Sequence, residues 1–166
     1  MPEARLDGGI PQTAGWFVLN ARDAPWVSNE MATRVNFGGE GEAHFDDLGF
    51  RLYWLEPGQP MGMYHHEAGQ EDFLVVRGRC LLIVEGIERD VATWDLVHCP
   101  SRTSHILVGA GDEPALIVAV GARKERGSVE YPVAPVAIAH GAGVHEGERP
   151  YARFSELRRC PAPPLF

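Results

Sequence analysis

The sequence predicts an all-β protein, an antiparallel sandwich or barrel, and three observations lead there. Short apolar or β-branched segments recur about every ten residues between residues 49 and 120, giving about eight strands. Turn formers are abundant, with 19 glycines and 13 prolines. The apolar pattern repeats every two residues rather than every 3.6, so no α-helix is required before residue 121.

Residues 1–14 are polar and carry Gly8, Gly9 and Pro11, as in a loose N-terminal arm. A first strand is expected over Gly15–Asn20, and a short one near Thr33–Phe37 in an otherwise glycine-rich, acidic stretch. Gly49–Leu55 has aromatics on both faces, as expected of a sheet covered on both sides. Phe73–Val76 reads as a buried strand. Gly78 turns the chain into Arg79–Val84, and Glu85-Gly86 turns it back through Ile87–Thr93. Asp95–Cys99, Thr103–Val108 and Ala115–Val120 complete the set. Arg123-Lys124-Glu125-Arg126 is a charged, solvated turn. Tyr131–Ala139 is expected as an edge strand or one helical turn, and Ser155–Arg159 as a short helix stopped by Pro161. The expected organisation is an arm over 1–14, a barrel over 15–121 and an extension over 122–166 packed on the barrel.

Composition narrows the function classes. At 166 residues the chain can bury one core without staples. Its formal charge of −8 opposes a nucleic-acid partner, which favours a basic face. No segment has transmembrane length, and the first residues lack the regions of a signal peptide, so the cytoplasm is the expected location. The three cysteines, Cys80, Cys99 and Cys160, are odd in number and widely spaced, against a disulfide framework.

Chemistry concentrates in Pro57–Gly78, PGQPMGMYHHEAGQEDFLVVRG, and in a second stretch, Trp94–His105. The first holds His65, His66, Glu67 and Glu71; the second holds His98 and His105. Together they resemble the two motifs of the cupin family, G-x5-H-x-H-x3/4-E-x6-G and G-x5-P-x-G-x2-H-x3-N. Glu71-x6-Gly78 matches the end of the first, and Pro100 and His105 match the core of the second. Trp94 and Arg102 stand where that motif has glycines, Gly109 where it has asparagine, and a carboxylate or tyrosine where the first motif has one of its histidines. The resemblance implies a jelly-roll barrel, the double-stranded β-helix of cupins, holding one divalent transition metal: zinc, iron, manganese or nickel.

Two registers are open for the ligands. In the favoured one, His65 and Glu67 both face inward, as residues two apart on a strand do, and join Glu71 and His105 as the metal ligands. In the other, Tyr64 and His66 face inward, but tyrosine with its pKa of about 10 is a poor ligand at neutral pH. Imidazole and carboxylate donors suit first-row divalent ions. Four ligands on rigid strands leave a coordination position for water or substrate. Glu71, or Glu67, is the candidate catalytic base.

The other chemical side chains have plainer expected roles. His98 reads as a packed strand residue, Cys99 as a small buried hydrophobe, and His44, His140 and His145 as solvent-facing. Trp16, Trp54 and Trp94 are expected in the core, as are Phe73, Val75 and Leu107.

The functional reading is a metal-dependent enzyme acting on a small organic molecule inside the barrel, with oxygen-dependent chemistry favoured by a histidine–carboxylate site. The alternatives are a non-catalytic cupin that binds a small ligand or metal as a sensor, and a metal-free isomerase or epimerase using His65 or His105 as base. Apolar strand material at both ends, Trp16–Leu19 and Val133–Ile138, leads to the expectation of a homodimer in which one end covers the partner's barrel edge.

Overall fold

The structure is a computed structural model, and it describes residues 1–39, 41–123 and 129–165, without the side chain of Glu42. Lys124, Glu125 and Arg126 of the expected charged turn lie outside the described residues. Among the described residues the strands are β1 (Leu6–Asp7), β2 (Ile10–Pro11), β3 (Val27–Ser28), β4 (Thr33–Asn36), β5 (Leu48–Leu55), β6 (Glu71–Arg77), β7 (Arg79–Val84), β8 (Ile87–Ala92), β9 (Leu96–Cys99), β10 (His105–Ala110), β11 (Ala115–Ala122) and β12 (Arg158–Arg159). One helical turn, α1 (Pro135–Ala139), follows β11. The fold is thus β-rich and antiparallel, with a jelly-roll architecture.

A large sheet runs β12-β3-β4-β5-β11-β6-β9, and a smaller one runs β10-β7-β8. Every strand pairing within them is antiparallel. The chain passes from the large sheet to the small one at Gly78, between β6 and β7. Its φ of +81° is left-handed, and a β-carbon there would lie 2.7 Å from the Pro114 carbonyl, so glycine is required. Pro60 and His65 extend the small sheet through isolated bridges to Val108 and His105 on β10.

Alternation explains how both faces of the large sheet are filled. On β6, Phe73 and Val75 point inward and are buried, while Leu74 and Val76 point outward. The core between the sheets joins Tyr53, Leu55, Phe73, Val75, Ile83, Ile106, Leu107 and Ile117. Each such large apolar side chain contributes about 1.5–3 kcal/mol on burial. A second cluster lies on the outer face, where Trp26, Val35, Trp54 and Leu116 meet Leu165 from the C-terminus. The two-sided cover expected for β5 is therefore present, with Tyr53 in one cluster and Trp54 in the other.

Several expectations are corrected. Residues 15–20 form no strand; Trp16 makes one isolated bridge to Glu3 and is 54% exposed. Trp94 is 72% exposed, because it sits at the β8–β9 turn with a φ of +76°. Ser155–Arg159 is not helical. Ser155 is held by Glu30 through its backbone N–H and its hydroxyl, and Arg158–Arg159 pairs with β3. A helix of one turn has too little cooperativity to compete with those tertiary bonds. His98 is exposed on the outer face beside Asp72 rather than packed. His44 is half-buried against Arg123, and His140 is bonded to Glu88. The cysteines are free, with Cys80 and Cys99 buried.

Candidate metal centre

Three strand-end positions converge inside the barrel. Glu71 opens β6, His105 opens β10, and His65 bridges His105 from the segment between β5 and β6. The Glu71 Oε2 atom lies 3.1 Å from His105 Nε2 and 3.3 Å from His65 Nε2. One donor atom from each residue falls within 4.8 Å of the other two. His105 is 2% exposed, and its ring packs against Phe73 at 5.2 Å between centroids.

The far nitrogens fix the tautomers. His65 Nδ1 is 2.7 Å from the Met63 carbonyl and His105 Nδ1 is 2.8 Å from the Thr103 carbonyl. A carbonyl only accepts, so both Nδ1 atoms carry the hydrogen, and each neutral ring presents a bare Nε2 lone pair to Glu71. With both rings neutral, Glu71 Oε2 and His105 Nε2 are buried with no hydrogen-bond partner among the described residues. Facing lone pairs around a carboxylate oxygen need a positive centre between them, so this donor set fits a divalent cation.

With no metal, a proton takes that place. Burial raises the Glu71 carboxyl, but hydrogen bonds with His105 and His65 outweigh it and hold the pKa at about 2. Burial opposes a charged His105, yet hydrogen bonds to Cys99 and Glu71 lift its pKa to about 10. The metal-free site is therefore a carboxylate–imidazolium pair.

Glu67 lies on the same side of the segment as His65 and lines the same cavity, but it is outside the close group of donor atoms. Burial, followed by the Glu71 charge, pushes its carboxyl above the usual range. Tyr64 and His66 point elsewhere. Tyr64 is buried and its hydroxyl accepts from the Gly86 N–H at 3.0 Å, while His66 pairs with Glu130 in backbone and side chain.

The donor group opens into a cavity of about 220 Å³. Sequence reasoning missed most of its walls. Arg34, Arg51 and Tyr53 come from β4 and β5, and Tyr131 and Tyr151 from the C-terminal extension. Tyr131 stacks 5.9 Å from the His65 ring and meets Tyr151 edge-on at 6.0 Å. Burial, followed by the neighbouring Tyr131, pushes the Tyr151 hydroxyl well above its usual range. The signal for Arg51 was present: Arg51, Tyr53 and Leu55 are spaced by two, opposite in facing to Phe50, Leu52 and Trp54. No local pattern marked the tyrosines.

The arrangement agrees with comparisons to known proteins. The cupin domain family matches residues 51–121, which include all four proposed ligands. No curated protein matches the chain. Among solved structures, the chain is similar to a sugar phosphate isomerase from a cupin superfamily of Silicibacter pomeroyi. The two are 26% identical with a TM-score of 0.50, over 57% of this chain and 60% of that one. In fold alone it resembles a polyketide cyclase from Streptomyces resistomycificus, at 14% identity and TM-score 0.59 over 70% and 84% of the chains. It likewise resembles a predicted oxalate decarboxylase from Thermotoga maritima, at 18% and 0.57 over 64% and 99%. Among the described residues, no helix is long and apolar enough to cross a membrane. Residues 51–121 match the cupin domain model, and the β-rich antiparallel fold of the chain is similar to that of these solved structures.

Proposed function

We propose that this chain is a divalent-metal-dependent enzyme that moves a proton on a small oxygenated molecule held in the cavity. The observation that carries the reading is the pair of Nε2 lone pairs facing the buried Glu71 Oε2. His65, Glu71 and His105 hold the ion, and Glu67 is the fourth donor and second carboxylate or, when free of it, the acid–base group. Bound there, a divalent ion supplies Lewis-acid polarisation of a substrate oxygen. Glu67, with its raised pKa, takes a proton from the substrate at a carboxylate oxygen and returns it. Because Glu71 is committed to the ion, the base role assigned to it from sequence passes to Glu67. Tyr131 and Tyr151 close one wall and exclude water.

Proton transfer replaces the oxygen-dependent chemistry favoured from sequence. The similar solved structures include a sugar phosphate isomerase, which supports an isomerising proton transfer. The chain spans only 60% of that isomerase. The test is solvent exchange. Metal-loaded protein in deuterium oxide should place deuterium on a carbon of a small hydroxy or keto compound, read by proton NMR. Glu67→Gln should abolish the exchange and keep the metal. No exchange across a panel of hydroxy acids, keto acids and sugar phosphates would contradict the reading. The same reading includes a homodimer, supported by the exposed apolar residues Leu48, Phe50, Trp94 and Leu96. Light scattering showing a monomer would remove that part.

A further inference from the structure

The cavity holds a second constellation that metal binding does not use. Arg34 on β4 stands directly opposite Tyr53 on β5, and Arg51 lies two residues before Tyr53 on the same strand. The three side chains therefore share the inner face of the large sheet. All three line the cavity together with His65, Glu67 and Glu71. In the next cross-strand row, Arg51 is followed by Ala119 and then Phe73, so a small residue separates the guanidinium from the wall near the metal centre.

Among the described residues, no carboxylate lies within ion-pair distance of Arg34 or Arg51. Arg51 is exposed and Arg34 half-buried, Arg51 being held beside Tyr53 and drawn towards the Glu71 and Glu67 charges. Both guanidinium groups are therefore open to a ligand at the cavity, and the planar fork of arginine suits bidentate binding of carboxylate or phosphate. With a divalent ion in place, the positive groups of the cavity outnumber the two carboxylates Glu67 and Glu71. The space is small, about 220 Å³, below the roughly 300–1,000 Å³ of sites for drug-sized ligands.

We propose that Arg34 and Arg51 bind the oxyanion group, a carboxylate or a phosphate, of a small substrate whose other oxygenated end faces His65, Glu71 and His105. The inference rests on the proton-transfer reading for the direction of the substrate, but the anion site itself stands on the arginines. It adds the substrate class: a small organic anion rather than a neutral sugar, alcohol or aromatic.

Calorimetric titration tests this with two matched pairs of probes, glycolate against glycolamide and glycerol 3-phosphate against glycerol. Each is titrated into metal-loaded wild-type protein, Arg34→Gln, Arg51→Gln and Arg51→Lys. At least one charged probe should bind roughly tenfold or more tightly than its neutral partner. Which of the two does so separates carboxylate from phosphate recognition. Each glutamine variant should lose roughly ten- to hundredfold in affinity for that anion, with the neutral probes unchanged, and Arg51→Lys should recover part of the loss. Thermal melting of each variant verifies that it is folded.

Equal binding of charged and neutral probes overturns the proposal. So does a charge preference that the arginine variants leave intact, since the ion alone would then produce it. Metal content is read in the same samples. One ion per chain without arginine-dependent anion binding refutes this inference and leaves the proposed function standing. Arginine-dependent binding in protein that retains no ion upholds the anion site and refutes the proposed function.

Discussion

His65 and His105 form an isolated antiparallel bridge in which each backbone N–H donates to the other's carbonyl, at 3.3 and 2.9 Å. Their rings stand 5.1 Å apart, and each Nδ1 donates to the carbonyl two residues before it. The two imidazoles are thus positioned by the same backbone pairing and oriented by the same local bond. Rotation of either ring would break a buried hydrogen bond worth about 1 kcal/mol, so the site is set before any ligand arrives.

This pairing gives a pH dependence with opposite limbs. In the metal-free protein, Glu71 is held at about 2 against an ordinary 4.5. Its stabilising contribution is present above pH 4.5 and is lost as pH falls through 2. His105 is held at about 10 against an ordinary 6.5. Its contribution is full below pH 6.5 and is lost as pH rises through 10. Chemical denaturation should therefore show a metal-free plateau between these limits. Metal must displace the His105 proton, so metal affinity should rise with pH from 5.5 towards 10, by about tenfold per unit for one proton released. Metal affinity independent of pH over this range would refute the linkage.

Among the described residues, Glu85, Trp94, Arg102 and Tyr151 are the non-glycine residues in left-handed backbone. Trp94 has a φ of +76° and Arg102 of +66°, at the two positions where the cupin motif has glycine. The fold has kept the conformation and dispensed with the residue. A side chain in this region is strained by about 1–2 kcal/mol, offset in part by the greater unfolded-state freedom of glycine. Both side chains are exposed and lose little packing. Trp94→Gly and Arg102→Gly should each stabilise the protein by about 0.5–1 kcal/mol, seen as a higher denaturant midpoint. A lower midpoint in both would contradict the strain argument.

Tyr64 separates the two ligand registers by a different route. Its hydroxyl accepts from the N–H of Gly86 in the exposed β7–β8 turn, away from the metal centre. Tyr64→Phe removes this part-buried hydrogen bond and should destabilise by about 0.5–1.5 kcal/mol. Metal content should be unchanged. Loss of the ion in Tyr64→Phe would favour the register that turns Tyr64 and His66 inward.

Much of this was legible in residue order, for identifiable reasons. The strands from β5 to β11 follow a period-two pattern punctuated by Gly78 and Gly86, and both strand and turn chemistry are local. Glu71 and His105 were legible because family spacing fixes them on strands. His65 was recoverable because inward and outward facing alternate. Gly109 could not be interpreted alone. A β-carbon there would lie 2.4 Å from the Glu56 carbonyl, so the close approach excludes the asparagine of the motif. Trp94 looked like core because hydrophobicity is local information and turn geometry is not. The cavity walls were hidden for the same reason. Arg34, Tyr131 and Tyr151 reach the centre only through pairings distant in sequence. Tyr131 and Tyr151, in addition, come from an extension without a family pattern.

The most direct test of the account is metal content across single substitutions, measured by elemental analysis on protein purified without chelators or a histidine tag and then reconstituted. Wild type should hold one divalent ion per chain. His65→Ala, Glu71→Ala and His105→Ala should each lose most of it, because each removes one of three converging donor atoms. Glu67→Ala should weaken it, and His66→Ala should keep a full complement. Complete loss in His66→Ala with full retention in His65→Ala would contradict the assignment, as would wild-type protein that holds no ion after reconstitution.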